Sequence, residues 1–278
     1  MVKSQAENEG DKIKWYHRIE LRPGIKSQRA AEFAHCPPDE PFGAKHYRLD
    51  EIDFKGKSVL DIGAWDGYFS FAAEERGAQK IVATNLKHLL EVDLTVETVE
   101  PFKKFAMNYF KDWVSQEAHG DNPERSFERF FSTGLQTAIK ARNSKVKEKI
   151  INVYDLSPER IGYFDIVLFL GILYHLKSPL FALEHASAVC KETLLLETGT
   201  CHQEDLLYSE VPIMVFQRLD RPYGLEDAWG EYRDYTCWFW PNIKCIELML
   251  YSCGFQEVQQ ISLISNRATF RAQRSPSN

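Results

Sequence analysis

Lys57-Ser58-Val59-Leu60-Asp61-Ile62-Gly63-Ala64-Trp65-Asp66-Gly67 is the stretch on which the reading of the whole chain turns. Lys57 to Ile62 is a short apolar run, apt for a buried parallel strand. Gly63 to Gly67 reads as a turn. Tyr68 to Arg76 carries apolar residues at helical spacing and stops at Gly77, in place for a glycine just past a helix end. Lys80 to Thr84 supplies the next strand. Strand, glycine turn, helix and strand make one βαβ unit, and sheets of this kind take ligands at the carboxyl ends of their strands.

The same rhythm continues downstream. Leu135 to Lys149 reads as a helix and Ile150 to Tyr154 as a third strand, ended by Asp155. Phe164 to Leu170 is the fourth and most apolar strand, Pro179 to Val189 a helix, and Thr193 to Glu197 the fifth strand. After a long loop, Pro241 to Cys253 is amphipathic, with Pro241 fit for a first helical turn and Gly254 as its stop. Phe255 to Ile264 and Ala268 to Arg271 read as final strands whose short connection suits an antiparallel hairpin. The expected class is α/β: a seven-stranded, mostly parallel sheet with helices on both faces and an antiparallel C-terminal hairpin.

Around this frame, residues 1–52 read as an N-terminal tail and a cap with short helices, and 53–278 as the main domain. Leu89 to Phe131 breaks the rhythm and reads as a helical insertion, with an aromatic run from Pro101 to Trp113 and a polar stretch from Ser115 to Ser126. A lid and a purely supporting elaboration both fit it. Met1 to Asp11 and Arg271 to Asn278 read as frayed ends.

The chain has 278 residues, a formal charge of −6, 44% hydrophobic and 27% charged residues, ordinary for a globular protein with a large core. No run of about 18 apolar residues exists, so no membrane span is expected. The polar start lacks the apolar stretch of a secretory leader, and a cytoplasmic protein is expected. The six cysteines, Cys36, Cys190, Cys201, Cys237, Cys245 and Cys253, form no C-x-x-C pair, so reduced thiols and no metal are expected. The acidic balance weighs against a phosphate-backbone partner without excluding a local basic patch.

The turn is G-x-x-x-G, not the G-x-G-x-x-G of nicotinamide dinucleotide sites. Glycines let the backbone approach a ligand closely. Asp61, two residues before the first glycine, repels a diphosphate but accepts from an ammonium group, which favours a cofactor bearing an amino acid. An ordinary strand–turn–helix corner is the plainer reading of the same residues.

Asp61 to Gly67 resembles motif I of class I S-adenosylmethionine-dependent methyltransferases, with Trp65 where the usual middle glycine stands. Phe164 to Leu180 (F-D-I-V-L-F-L-G-I-L-Y-H-L-K-S-P-L) resembles the tRNA wobble-uridine carboxymethyltransferase branch and its relatives. So do Leu195-Leu196-Glu197-Thr198, Trp240-Pro241-Asn242, Cys253-Gly254-Phe255 and the opening Trp15-Tyr16-His17-Arg18-Ile19-Glu20-Leu21. The resemblance implies a Rossmann-like fold that binds S-adenosylmethionine, releases S-adenosylhomocysteine and needs no metal. It implies that Gly63, Ala64, Trp65 and Gly67 approach the amino-acid part of the cofactor, that Asp61 receives its ammonium, and that Gly171 lends a carbonyl. Asp155 would meet the adenine amino group, with Leu156 offering its backbone. Asn85 stands where the family has an acid that takes both ribose hydroxyls, and an amide oxygen is a weaker acceptor.

Methyl transfer to an oxygen or nitrogen of a small, planar or aromatic acceptor is the leading expectation. The alternative is carboxymethyl transfer to a tRNA wobble uridine from the carboxylated cofactor. For that alternative Tyr174, Arg267 and Lys45 would hold the carboxylate; Arg267 also fits a plain strand-end surface arginine. His175 is the first candidate base, with packing as its other reading, and His17 the second. Acceptor walls are expected from Trp15 and Tyr16 in the cap and from Thr198 to Trp240, where Tyr208, Met214, Phe216, Tyr223, Trp229, Tyr232, Tyr235, Trp238, Phe239 and Trp240 gather. These aromatics suit a stacked acceptor and equally a satellite core. Glu197 and Arg233 are expected to pair or to orient the acceptor.

Overall fold

The computed structural model describes residues 13, 15–28, 47–94, 96–109, 127, 128, 130–216 and 236–275. The chain divides into two compact units, one of residues 1–45, 53–91 and 95–152, the other of 46–52, 92–94 and 153–278.

The first unit opens with a small antiparallel hairpin, β1 (Glu20–Arg22) and β2 (Ile25–Lys26). Then come β3 (Ser58–Ile62), α1 (Tyr68–Glu75), β4 (Lys80–Asn85), α2 (Val96–Tyr109), α3 (Ser132–Arg142) and β5 (Lys147–Ile150). β3, β4 and β5 are parallel, with Asp61 beside Ala83 and Ala83 beside Glu148. α1 packs on β3 and β4 through the buried side chains of Phe69, Phe71, Ala72 and Ala73. Each phenylalanine so buried contributes about 1.5–3 kcal/mol.

The second unit holds α4 (Pro158–Ile161), β6 (Phe164–Leu170), α5 (Pro179–Ala188), β7 (Cys190–Gly199) and α6 (Glu204–Leu207). It continues with β8 (Met214–Phe216), β9 (Phe239–Pro241), α7 (Ile243–Ser252), β10 (Glu257–Ile264) and β11 (Arg267–Gln273). β6 and β7 are parallel, β11 runs antiparallel to β7, and β10 closes the hairpin. β8 and β9 pair as a separate antiparallel ribbon. The full sheet has seven strands in the order β10-β11-β7-β6-β3-β4-β5, the expected mostly parallel sheet with its antiparallel C-terminal hairpin.

Several boundaries differ from the sequence reading, each for a local reason. α3 stops at Arg142 because Asn143 turns left-handed at φ 51, and Ser144 donates its N–H to the Ile139 carbonyl at 3.0 Å, a helix stop that asparagine tolerates. The third strand therefore lies at Lys147–Ile150, and Val153–Asp155 is a 3₁₀ turn instead of its end. Pro241 closes β9 and does not start the helix. Asn242 caps α7, its side-chain oxygen accepting the Cys245 N–H at 2.9 Å. The chain after Arg271 is not frayed up to Ser275: β11 runs on to Gln273, and Arg274 donates to the Ser187 carbonyl at 3.0 Å and sits over the Phe255 ring.

The described part of the cap holds a hairpin and one short 3₁₀ helix, Leu49–Glu51, and residues 29–46 lie outside the described residues. Of the insertion, a 3₁₀ turn at Leu89–Glu91 and α2 are described, with a bridge between His88 and Glu128; residues 110–126 and 129 lie outside the described residues.

Candidate functional site

In the first unit, the turn after β3 is held from behind. The Gly63 N–H donates to the Thr84 hydroxyl at 3.3 Å and the Ala64 N–H to the Thr84 carbonyl at 2.9 Å. The Trp65 N–H donates to Asn85 Oδ1 at 2.9 Å and the Gly67 N–H to the Ala64 carbonyl at 2.8 Å. The amides that a phosphate would seek are thus used within the protein. Gly63 itself is exposed at φ 63, with its backbone open to approach. Gly67, at φ 88, has no room for a side chain: a Cβ would stand 2.5 Å from Leu135 Cδ1 and 2.9 Å from Phe71.

Asp61 lies under this turn with 2% of its surface exposed. Ser70 of α1 donates its hydroxyl to Oδ2 at 2.6 Å. Burial pushes the carboxyl from 3.8 up to about 7, and the Ser70 hydroxyl and the His17 ring pull it back only in part. It is an acid in want of a cation.

Asn85 acts as a strut. Its Oδ1 receives Trp65, and its Nδ2 faces the Trp65 carbonyl at 3.1 Å, the Phe131 carbonyl at 3.3 Å and Glu148 Oε1 at 3.1 Å. Trp65 adopts φ 50, a conformation costly to any residue with a Cβ. Its ring is walled by Tyr16 at 5.0 Å, Phe131 at 5.2 Å and Phe130 at 5.8 Å between centroids.

The segment Trp15-Tyr16-His17 is tied to the same turn by Asp66, which is 0% exposed. Asp66 Oδ2 accepts the Tyr16 N–H at 3.0 Å and the His17 N–H at 2.7 Å, and Oδ1 lies 2.7 Å from His17 Nδ1. The His17 ring stacks on Tyr68 at 4.8 Å and meets Phe69 edge-on. Trp15 is fully buried against Gly134, so it packs the fold and does not wall an acceptor.

The second unit gathers another cluster at the ends of β6 and β7. Arg267 spans both oxygens of Glu197, Nε to Oε1 at 2.6 Å and Nη2 to Oε2 at 2.8 Å, and Nη1 donates to the Tyr174 hydroxyl at 3.2 Å. The Glu197 side chain is 0% exposed, and Arg267 also lies over the Tyr174 ring at 5.0 Å. Neither the expected Glu197–Arg233 pair nor the surface-arginine reading of Arg267 describes this: Glu197 pairs with Arg267, and Arg233 lies outside the described residues. Burial raises the Tyr174 phenol well above its ordinary value, so it stays protonated. Gly171, at φ 73, passes over the pair, 3.5 Å from Arg267 Nη2 to where a Cβ would be.

His175 lies in the 3₁₀ turn Leu173–His175. Its Nδ1 lies 2.8 Å from the Thr236 hydroxyl and 3.1 Å from the Thr236 carbonyl, so Thr236 anchors the ring through that nitrogen. The ring packs on Tyr174 at 4.0 Å, and Tyr174 stacks on Trp240 at 5.6 Å. Trp240 belongs to a satellite core with Cys201, Leu207 and Cys237. A side chain at Gly199 would strike its ring. Trp238 is fixed by its indole N–H on the Asp93 carbonyl at 2.8 Å. Tyr208 and Phe216 are exposed, while Tyr223, Trp229, Tyr232 and Tyr235 lie outside the described residues, as do Lys45 and Cys36. Asp155 is exposed and paired with Arg160 at 2.8 Å. Leu156 is buried, with its N–H on Val153 and its carbonyl receiving His185 Nδ1 at 2.6 Å.

Sequence reasoning gave no role to Asp66, Ser70, Thr84 or Thr236. Asp66 was within the quoted turn itself, but its partners are 49 and 50 residues away. Burial holds Cys190 at about 12 and pushes Cys201, Cys245 and Cys253 upward, so these are inert thiols. Among the described residues no group of three or more His, Cys, Asp or Glu comes together to hold a metal, and no helix is long and apolar enough to cross a membrane.

No family model matches the chain. The tRNA U34 carboxymethyltransferases of Pseudomonas savastanoi pv. phaseolicola and Pseudomonas syringae pv. tomato are each 26% identical to it over 224 residues, 81% of this chain and 52% of theirs. The chain thus spans about half the length of the curated relatives it matches. Among solved structures, the N-terminal domain of EvdMO1 with S-adenosylhomocysteine bound superposes with a TM-score of 0.62 at 16% identity, covering 97% of this chain and 95% of that one. Full EvdMO1 gives 0.52, with 97% of this chain and 46% of that one. The chain has the fold of class I S-adenosylmethionine-dependent methyltransferases and resembles them in sequence.

Proposed function

We propose that the chain is an S-adenosylmethionine-dependent methyltransferase that acts on an oxygen or nitrogen atom of a small acceptor. One observation carries this reading: the turn after β3 offers a buried carboxylate, Asp61, while the amides of Gly63, Ala64, Trp65 and Gly67 are already bonded within the protein. Such a turn repels a diphosphate and suits an ammonium group. The residues of the first unit therefore fit an amino-acid-bearing cofactor: Asp61 for its ammonium and the exposed backbone of Gly63 for close approach. Asp155 remains the candidate for the adenine amino group. Asn85 is spent on Trp65, so the ribose is held elsewhere.

When bound, S-adenosylmethionine supplies an already activated methyl group on a sulfonium. The protein's part is to align the acceptor in line with the S–CH3 bond and to keep water out. A base is needed only where the acceptor must lose a proton. His175 is suited to that role, since Thr236 anchors its ring through Nδ1 and leaves Nε2 as the other nitrogen for an acceptor's proton. His175→Ala is expected to slow turnover about 10²–10⁴-fold with little change in cofactor affinity; wild-type kcat would make His175 a packing residue.

Carboxymethyl transfer to tRNA is the second reading, favoured by the names of the curated relatives. Against it stands Arg267, whose planar fork is already filled by the Glu197 carboxylate. A thermal-shift comparison of S-adenosylmethionine, its carboxylated form and NAD separates the readings. A ligand at about 100 times its Kd stabilises the fold by about 2.7 kcal/mol. We expect the largest shift with S-adenosylmethionine. A preference for the carboxylated form would reverse the ranking, and a response to NAD alone would overturn both.

A further inference from the structure

The two charges of an α-amino acid sit on one carbon, so an acid that receives the ammonium has the carboxylate for a close neighbour. In the first unit, the turn amides that would meet an anion are bonded inward. His17 is the basic side chain brought to the turn, in place to meet the carboxylate. Its field acts on Asp61. Asp66 fixes it by three hydrogen bonds, to the ring Nδ1 and to the N–H groups of Tyr16 and His17. The Tyr68 ring supports one face. Nδ1 is bound to Asp66, and Nε2 makes no hydrogen bond among the described residues, while the side chain keeps 14% of its surface exposed. With both ring nitrogens protonated, Nδ1–H serves Asp66 and Nε2–H is a donor for an anion.

We propose that His17 binds the carboxylate of the amino-acid end of the cofactor through Nε2, with Asp66 as its positioning residue, so that Asp61 and His17 together read a zwitterion. This rests on the methyltransferase reading and assigns to His17 a binding role in place of the base expected from sequence. It also gives the buried Asp66 carboxylate a purpose beyond tying down the chain.

The test is calorimetric and needs no turnover. S-adenosylhomocysteine and its decarboxylated counterpart differ only in the group that His17 is proposed to hold. His17→Asn keeps a nitrogen at the Nδ1 position for Asp66 and deletes Nε2. It is expected to weaken S-adenosylhomocysteine about 10- to 100-fold, the range for a hydrogen bond to a charged group, and to leave the decarboxylated ligand within about twofold. His17→Gln, which places an amide nitrogen near the Nε2 position, should recover part of the loss. Equal effects on both ligands, or none, would overturn the inference and leave the methyltransferase reading intact. Failure of the wild-type protein to bind S-adenosylhomocysteine would overturn both.

Discussion

Asp61→Asn yields a protein that is more stable at neutral pH and poorer at binding its cofactor. The substitution keeps the shape and an oxygen for the Ser70 hydroxyl, and it removes the charge. In the wild type, burial raises the carboxyl from 3.8 to about 7. The native state therefore holds a proton that the unfolded chain gives up between these values. Stability from this group is complete below pH 3.8 and is lost as pH rises toward about 7, above which the loss is constant. The full linkage is about 4 kcal/mol, and a gain of about 2–4 kcal/mol for the variant at pH 8 would raise Tm by roughly 4–16 °C for a chain of this size. At pH 4 the gain nearly vanishes. Cofactor affinity moves the other way: losing a charge-assisted hydrogen bond costs about 1.5–3 kcal/mol, or roughly 10- to 150-fold in Kd. Thermal scans at pH 4 and pH 8 and a titration with S-adenosylhomocysteine check both halves. Unchanged affinity would remove Asp61 from the ammonium site, and unchanged stability at pH 8 would mean that the buried charge is already compensated.

Glu197→Ala has the second large effect, on stability in the opposite direction. It takes both carboxylate oxygens away from the buried guanidinium of Arg267, which keeps its bond to the Tyr174 hydroxyl. Arginine does not shed its proton to escape burial. Breaking one side of such a pair costs about 3–5 kcal/mol, while replacing both sides by apolar residues is often neutral. We therefore expect a clear fall in the urea midpoint for Glu197→Ala and recovery of most of it in the double variant Glu197→Leu/Arg267→Met. A loss below about 1 kcal/mol would place the pair among weak surface bridges. Tyr174 fluorescence and cofactor preference are informative in the same samples, since the single variant frees an arginine fork able to take a carboxylate.

The parts of the fold that sequence revealed are those where burial writes a continuous signature. β3 and β6 are apolar runs buried along most of their length, and the glycine turn and α1 follow β3 directly. β5 gave no such signal. It is Lys147-Glu148-Lys149-Ile150, a charged edge strand with no buried residue. Charges suit an exposed edge, so the apolar residues after it, from Ile150 on, looked more strand-like than the strand. The start of α7 depended on whether Pro241 or Asn242 begins the turn, which only the Asn242 side-chain bonds decide. In the candidate site, the position of Asp61 was legible, because the acid stands in the strand directly before the glycine turn. The His17–Asp66 and Glu197–Arg267 pairs were not, because they join residues 49 and 70 apart. Asn85 was legible as a departure, yet its use as a backbone strut required the folded turn.

That strut bears on how substitutions accumulate in this turn. Asn85 grips Trp65 by both of its backbone polar groups, accepting from the N–H and donating to the carbonyl. An aspartate at 85 accepts equally well but donates nothing, and a glycine at 65 reaches the same backbone conformation without support. The residues at 65 and 85 are therefore coupled: the conformation of Trp65 is braced by an amide that an acid could not replace in full. A glycine at 65 would release Asn85 from that task, whereas an aspartate at 85 beside Trp65 would withdraw the donor that the Trp65 carbonyl has from it.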